Sequence, residues 1–89
     1  MNEQDLVGRL PAMTLAQIAL EIGKDWTNPY FGAVPYIAAM RQCQNVESRY
    51  GLEDGRDIVL RFLCNCATWR GPIAKAIKAE LKARVKPRR

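Results

Sequence analysis

Large apolar side chains recur three or four positions apart along most of the chain, the spacing that lines one face of an α-helix. Nowhere do they alternate long enough to build a sheet. The strongest such stretch runs from Asp57 to Trp69. At about 100° per residue, Asp57, Arg61, Asn65 and Thr68 fall on one narrow strip, while Ile58, Val59, Leu60, Phe62, Leu63, Cys66, Ala67 and Trp69 cover the other sides. Each large apolar side chain left in water forfeits roughly 1.5–3 kcal/mol of burial, so such a helix must be surrounded by other elements. The pattern predicts an all-α fold, a compact bundle of about four short helices around a buried third helix.

The remaining helices follow from period and punctuation. Leu15, Ile18, Ala19, Ile22 and Trp26 share one face, with Thr14 as N-cap and Gln17 three residues on. Asn28-Pro29 stops this helix, because proline lacks the N–H and disfavours a helical residue before it. Pro35 suits the first turn of a second helix whose inner face is Tyr36, Ile37 and Met40. Residues 45–55 read as a polar connection broken by Gly51 and Gly55, with Val46, Tyr50 and Leu52 available to tack it down. Asp54 is placed to cap the central helix, and Arg70-Gly71-Pro72 marks an end and a restart.

The predicted helices therefore lie near 14–26, 35–44, 56–69 and 72–86. Their expected core is Leu15, Ile18, Ile22, Trp26, Tyr36, Ile37, Met40, Ile58, Val59, Phe62, Leu63, Trp69, Ile73, Ile77 and Leu81. Residues 1–12 hold Gly8 and Pro11 and show little period, so they are expected as a flexible lead-in with at most a turn around Asp5 to Arg9. Met13 would also serve as a translation start, which would make the lead-in an extension the fold can spare. Residues 13–86 form the expected single helical domain and 87–89 a frayed basic tail.

Length and composition narrow the chemistry. Eighty-nine residues allow one domain with a marginal core. No apolar run approaches the ~20 residues that cross a bilayer and no leader pattern opens the chain, so a cytoplasmic protein is expected. Cys43, Cys64 and Cys66 cannot all pair with one another. On a helix, Cys64 and Cys66 point roughly 160° apart, so three reduced thiols are expected, serving as small core residues.

Histidine, the commonest general base and metal ligand, is absent. A CxC pair inside a helix lacks zinc-knuckle geometry, and there is no Gly-rich phosphate loop and no GxSxG elbow. No catalytic residue, metal or cofactor is expected.

Charge is segregated rather than balanced. The net charge of +5 divides into −2 over residues 1–32, −1 over 33–57 and +8 over 58–89. In the last helix Lys75, Lys78, Lys82 and Lys86 share a face, with Arg88 and Arg89 beyond it, a set able to contact nucleic acid or an acidic partner. Base-reading Asn, Gln, Ser and Thr are absent from Pro72–Arg89, which argues against sequence-specific readout. The plainer reading is a solvated face whose cations favour the negative end of the helix. Tyr30 and Phe31, in a Pro-stiffened aromatic connector, and Arg70, beside Trp69, are the candidate contacts for a protein partner. The plainer readings here are that the aromatics plug one end of the bundle and that Arg70 pairs with Asp25 or Glu21.

Three segments, KDWTNPYFGAVPYIAAM (Lys24–Met40), DIVLRFLCNCATWRG (Asp57–Gly71) and IAKAIKAELK (Ile73–Lys82), resemble a group of short uncharacterised bacterial proteins associated with prophages and other mobile elements. The resemblance spans about Met13 to Lys86, and residues 1–12 and the Cys64/Cys66 pair depart from it. It carries no activity or ligand to any position here, and implies a phage-type setting in which small proteins act by binding host machinery.

Together these readings lead to a non-enzymatic protein-binding module, a phage-type antagonist or adaptor acting on a host protein or nucleoprotein complex. The alternative is a nucleic-acid-binding protein using the basic last helix. No membrane partner is expected, and a homodimer is a further option because so small a core can leave an apolar face uncovered.

Overall fold

The computed structural model describes residues 3–86, and Arg88 and Arg89 lie outside the described residues. The architecture is mostly all-α: α1 (Glu3–Arg9), α2 (Leu15–Asp25), α3 (Val34–Met40), α4 (Gly55–Cys64) and α5 (Pro72–Val85), with one small antiparallel hairpin, β1 (Arg49–Tyr50) and β2 (Glu53–Asp54). A 3-10 turn, Leu10–Ala12, joins α1 to the extended Met13.

Residues 3–12, expected as a loose lead-in, are helical instead. Leu6, Leu10 and Met13 stand four and three residues apart and bury into the core, and Arg84 of α5 donates to the Leu10 carbonyl at 2.7 Å. Three apolar residues are too few to show a clear period, yet each covers α5 or its neighbours. This segment belongs to the fold.

Thr14 caps α2 through a reciprocal capping box with Gln17, at 2.8 and 3.1 Å. Two further N–H groups at the start of α2 are taken from outside the helix, Leu15 by the Gln44 carbonyl and Ala16 by that of Cys43, both at 2.9 Å. The same strap serves α4. Gly55 N–H reaches the Ser48 carbonyl and Arg56 N–H that of Val46, while Asp54 accepts from Asp57 N–H at 2.9 Å. Residues 43–48 thus satisfy two helix N-termini that would otherwise leave donors unpaired.

Only glycine fits at position 55. A Cβ there would collide with the Asn45 carbonyl and stand 2.9 Å from Val46 Cα. The expected polar connection is the β1–β2 hairpin, turned at Gly51 (φ 64°). Val46 packs on the core, but Tyr50 and Leu52 do not tack the loop down; both are exposed.

The helix expected third in the chain is α4, and it is shorter than its apolar pattern. It ends at Cys64, where Asn65 folds back to donate to the Arg61 carbonyl at 2.8 Å. Ile58, Val59 and Phe62 are fully buried, whereas Leu60, Arg61 and Cys64 face water. Residues 66–70 then leave the helix axis and carry Trp69 back over the core. Its indole stacks on Trp26 (5.7 Å, 7° between planes), and Phe62 sets an edge against both rings at 6.4 and 6.3 Å. Trp69 Nε1 donates to Asp25 at 2.8 Å, tying the end of α2 to a residue 44 positions away.

Eleven of the expected core residues are buried, and the other four, Tyr36, Ile37, Leu63 and Ile73, are only partly buried and pack against them. Leu6, Leu10, Met13, Ala19, Ala33, Ala39, Cys43, Cys66 and Ala74 join them. All three cysteines are free; Cys43 and Cys66 are core residues, while Cys64 is exposed.

Trp69→Ala is expected to lower unfolding free energy by about 3–5 kcal/mol, and Asp25→Ala by about 1–3 kcal/mol, in urea titrations followed by circular dichroism. Equal losses would mean that the indole N–H, rather than the ring, fixes the segment. A chain started at Met13 is expected to lose about 4 kcal/mol or more, because Leu6 and Leu10 each leave a cavity against α5. An unchanged midpoint would show that the segment is dispensable.

Candidate protein-contact surface

The connector between α2 and α3 is pinned at both ends. Trp26 is held by its two aromatic neighbours, and Ala33 is completely buried. Between them Ala33 N–H bonds to the Tyr30 carbonyl at 2.9 Å and Val34 N–H to that of Phe31 at 3.3 Å, closing a tight turn. The two indoles and Phe62 already fill this end of the core. Tyr30 and Phe31 are therefore turned outward, 45% and 79% exposed, with ring centroids 4.8 Å apart. They do not plug the bundle.

Gly32 sets the pose of Tyr30. A Cβ at this position would stand 2.6 Å from the Tyr30 ring and 2.9 Å from Asn65 Oδ1. Tyr30 consequently lies against the end of α4, where it lines a hollow of about 210 Å³ with Cys64, Asn65, Ala67 and Thr68. Its chain neighbour Pro29 lines a different hollow of about 250 Å³ with Gly23, Trp26, Val34, Ile37 and Arg41. That second hollow continues past Ala38 and Arg41 into a third, of about 330 Å³, walled by Ala16, Leu20 and Gln42. Exposed Leu20 and Val34 extend the apolar surface along α2 and α3. Sequence reasoning missed this groove. Leu20 and Val34 lie outside the inward-facing stripes of their helices, and each reads singly as an ordinary surface residue.

Arg70 is not part of this surface. It lines a hollow of about 440 Å³ with Trp69, Lys75 and Lys78, on the cationic side of the molecule. It does not pair with Asp25, which accepts from Trp69, or with Glu21, which pairs with Lys24 at 3.2 Å. Lys78 is partly withdrawn from the lysine face: its ammonium donates to the Trp69 carbonyl at 2.5 Å and stands over that indole at 5.9 Å. Lys75, Lys82 and Lys86 are exposed, and Lys86 borders a hollow of about 420 Å³ with Arg56, Arg84 and Glu47.

Several other charged groups hold the fold. Arg61 pairs with Glu53 at 3.4 Å, and a hydrogen bond to Tyr36, then the field of Glu53, pushes its pKa upward. Arg84 pairs with Glu80 at 2.6 Å, and Arg56 donates to the Val85 carbonyl at the end of α5. Among the described residues, no three Cys, Asp or Glu side chains gather in a way that could hold a metal ion. No helix of the described residues is long and apolar enough to cross a membrane.

Burial pushes the Cys43 and Cys66 thiols up, Cys66 against a weaker opposing pull from Lys78 and Lys82. In the native protein both hold protons that the unfolded chain releases near pH 9, so their contribution to stability is present below that pH and is lost above it. Brief treatment with iodoacetamide at pH 8 is expected to modify one thiol per chain, Cys64, and all three after unfolding in urea, as read by mass spectrometry. Rapid modification of Cys66 in the native state would contradict its burial.

Comparison with protein families, with curated proteins and with solved structures finds no match to this chain.

Proposed function

We propose that the protein is a small, non-enzymatic protein-binding module of the cytoplasm, whose contact surface is Tyr30, Phe31 and the apolar groove between α2 and α3. One observation carries the reading: Phe31, a large aromatic in a core-limited chain, is held almost wholly in water by a turn whose two ends are anchored. Exposed apolar surface of this kind is common at contact sites, and aromatics dominate binding energy when a partner desolvates them.

Other features agree. The sequence has no histidine, and Asp25, Asp54, Glu21, Glu53 and Glu80 are each engaged in a cap or a pair within the fold. The resemblance to prophage-associated proteins favours a bacterial host protein or nucleoprotein complex as the target, with this chain as antagonist or adaptor. A second copy of the chain is the competing occupant of the same surface.

Two measurements test the proposal. Affinity capture from bacterial lysate, quantified by mass spectrometry, is expected to enrich at least one protein with the wild-type chain. Replacing Tyr30 and Phe31 together by alanine should lower that enrichment at least tenfold, consistent with about 2 kcal/mol for a central aromatic anchor. Sedimentation equilibrium should give a monomer mass at every concentration. Identical capture by the double variant, or a dimer that the same substitutions dissolve, would replace the proposal.

A further inference from the structure

We infer that the outer face of α5 is a second, independent surface that contacts the phosphate backbone of nucleic acid without reading its sequence. The first reason is how the cations divide. In the last third of the chain Arg61, Lys78 and Arg84 are engaged with Glu53, the Trp69 carbonyl, and Glu80 with the Leu10 carbonyl. Arg70, Lys75, Lys82 and Lys86 are exposed, and among the described residues none of them makes an ion pair or a side-chain hydrogen bond. The structural cations and the free ones are different residues.

Position along the helix gives the second reason. A solvated face whose cations complement the helix dipole accounts for Lys82 and Lys86, near the C-terminal end of α5. It does not account for Arg70 and Lys75, which flank the N-terminus, where a positive charge is unfavourable and where α5 carries no acid in its first turn. The row persists against the dipole. From Lys75 to Lys86 it extends about 16 Å at 1.5 Å per residue, a length along which a duplex presents roughly ten phosphate charges.

The composition of the face selects the polyanion. Between the lysines lie exposed Ala79 and Ala83, small enough for the helix to lie close against a backbone. A helix that settles into a lipid interface carries Trp, Phe or Leu on the buried side, and the outer face of α5 has none. A protein hot spot needs an aromatic anchor or a pocket to receive one; beside Lys82 and Ala79 the face offers neither, and in the hollow that Arg70 and Lys75 line the Trp69 ring is itself buried in the core. Asn, Gln, Ser and Thr are missing from Pro72–Val85, so no side chain of α5 suits adenine or mixed base edges. Phosphate contact is what the face favours, since guanine is the one base edge its cations suit.

The groove between α2 and α3 contains no α5 residue, so this inference and the protein-contact proposal stand or fall separately. The test is fluorescence anisotropy with the full chain and two labelled 20-base-pair duplexes of unrelated sequence, from about 0.05 to 0.2 M salt. The two duplexes should bind within twofold of each other. The log–log salt slope should be about −2.7 or steeper, as expected for three or more phosphate contacts. Replacing Lys75 and Lys82 together by glutamine should weaken binding at least tenfold and flatten the slope by about 1.8, with circular dichroism unchanged. The Tyr30/Phe31 alanine pair should leave binding intact. No binding at the lowest salt, an unaltered slope in the lysine variant, or a tenfold preference for one duplex would overturn the inference. Tighter binding to phosphatidylglycerol vesicles than to either duplex would also overturn it, reassigning the face to lipid.

Discussion

The stacked pair of Trp26 and Trp69, with the Trp69 N–H on Asp25, is the contact that makes a closed molecule out of five short helices. Nothing local favours it, since the two indoles are 43 residues apart in the chain. It explains why α4 stops at Cys64 although apolar residues continue. A helix run on to Trp69 would carry that indole out along the axis, whereas the turn through residues 66–68 returns it to Trp26 and Phe62. The same stack decides what happens to the connector. Once two indoles and a phenyl ring fill that end of the core, no volume remains for Tyr30 or Phe31. Their exposure is a consequence of close packing, since overfilling a well-packed core is itself destabilising.

A second constraint arises from helix length. Helices of seven to fourteen residues have a large share of their backbone donors in the first turn, where no intrahelical acceptor exists. The segment from Cys43 to Ser48 meets that need for α2 and α4 together, offering carbonyls to both while the Ser48 hydroxyl accepts from Gln44 and Asn45 N–H at 3.1 Å. Gly55 permits the approach. An apparently featureless polar loop is therefore the junction through which α2, α3 and α4 are registered against one another.

The legible parts of the sequence were those with local causes. The Thr14-Gln17 capping box, the Asp54 cap, and proline in the first turns of α3 and α5 each depend on residues within one helical turn, and each stands where the pattern put it. The principal core residues were also legible, because periodicity reports burial directly. What escaped depends on distant partners. Leu6 and Leu10 are buried only because α5 lies beside them; the hairpin forms only because residues 45–48 must reach the N-terminus of α4. The candidate surface was half visible: Tyr30 and Phe31 stood out by type, but the groove beside them is a relation between two helices that no single segment contains. Arg70 fell on the wrong side because Asp25, its supposed partner, was needed by Trp69.

A chain this small has few large side chains to spend outside its core, and most of its charged groups serve a visible structural end. Beside the aliphatic residues left exposed on the hairpin and on helix faces, Leu52 and Leu60 among them, two features run contrary to that economy. Phe31 remains in water, and Arg70 and Lys75 flank the end of α5 where its dipole disfavours them. Each departs from the agreement among capping, packing and electrostatics found elsewhere in the fold, and such departures concentrate where a protein meets something else. The two departures differ in chemistry, one aromatic and apolar, the other cationic, and none of the hollows described above is lined by residues of both. Two surfaces of different chemistry on one core agree with the proposed role of an adaptor, and the charge segregation along the sequence gathers the unpaired cations of its last third on and beside α5.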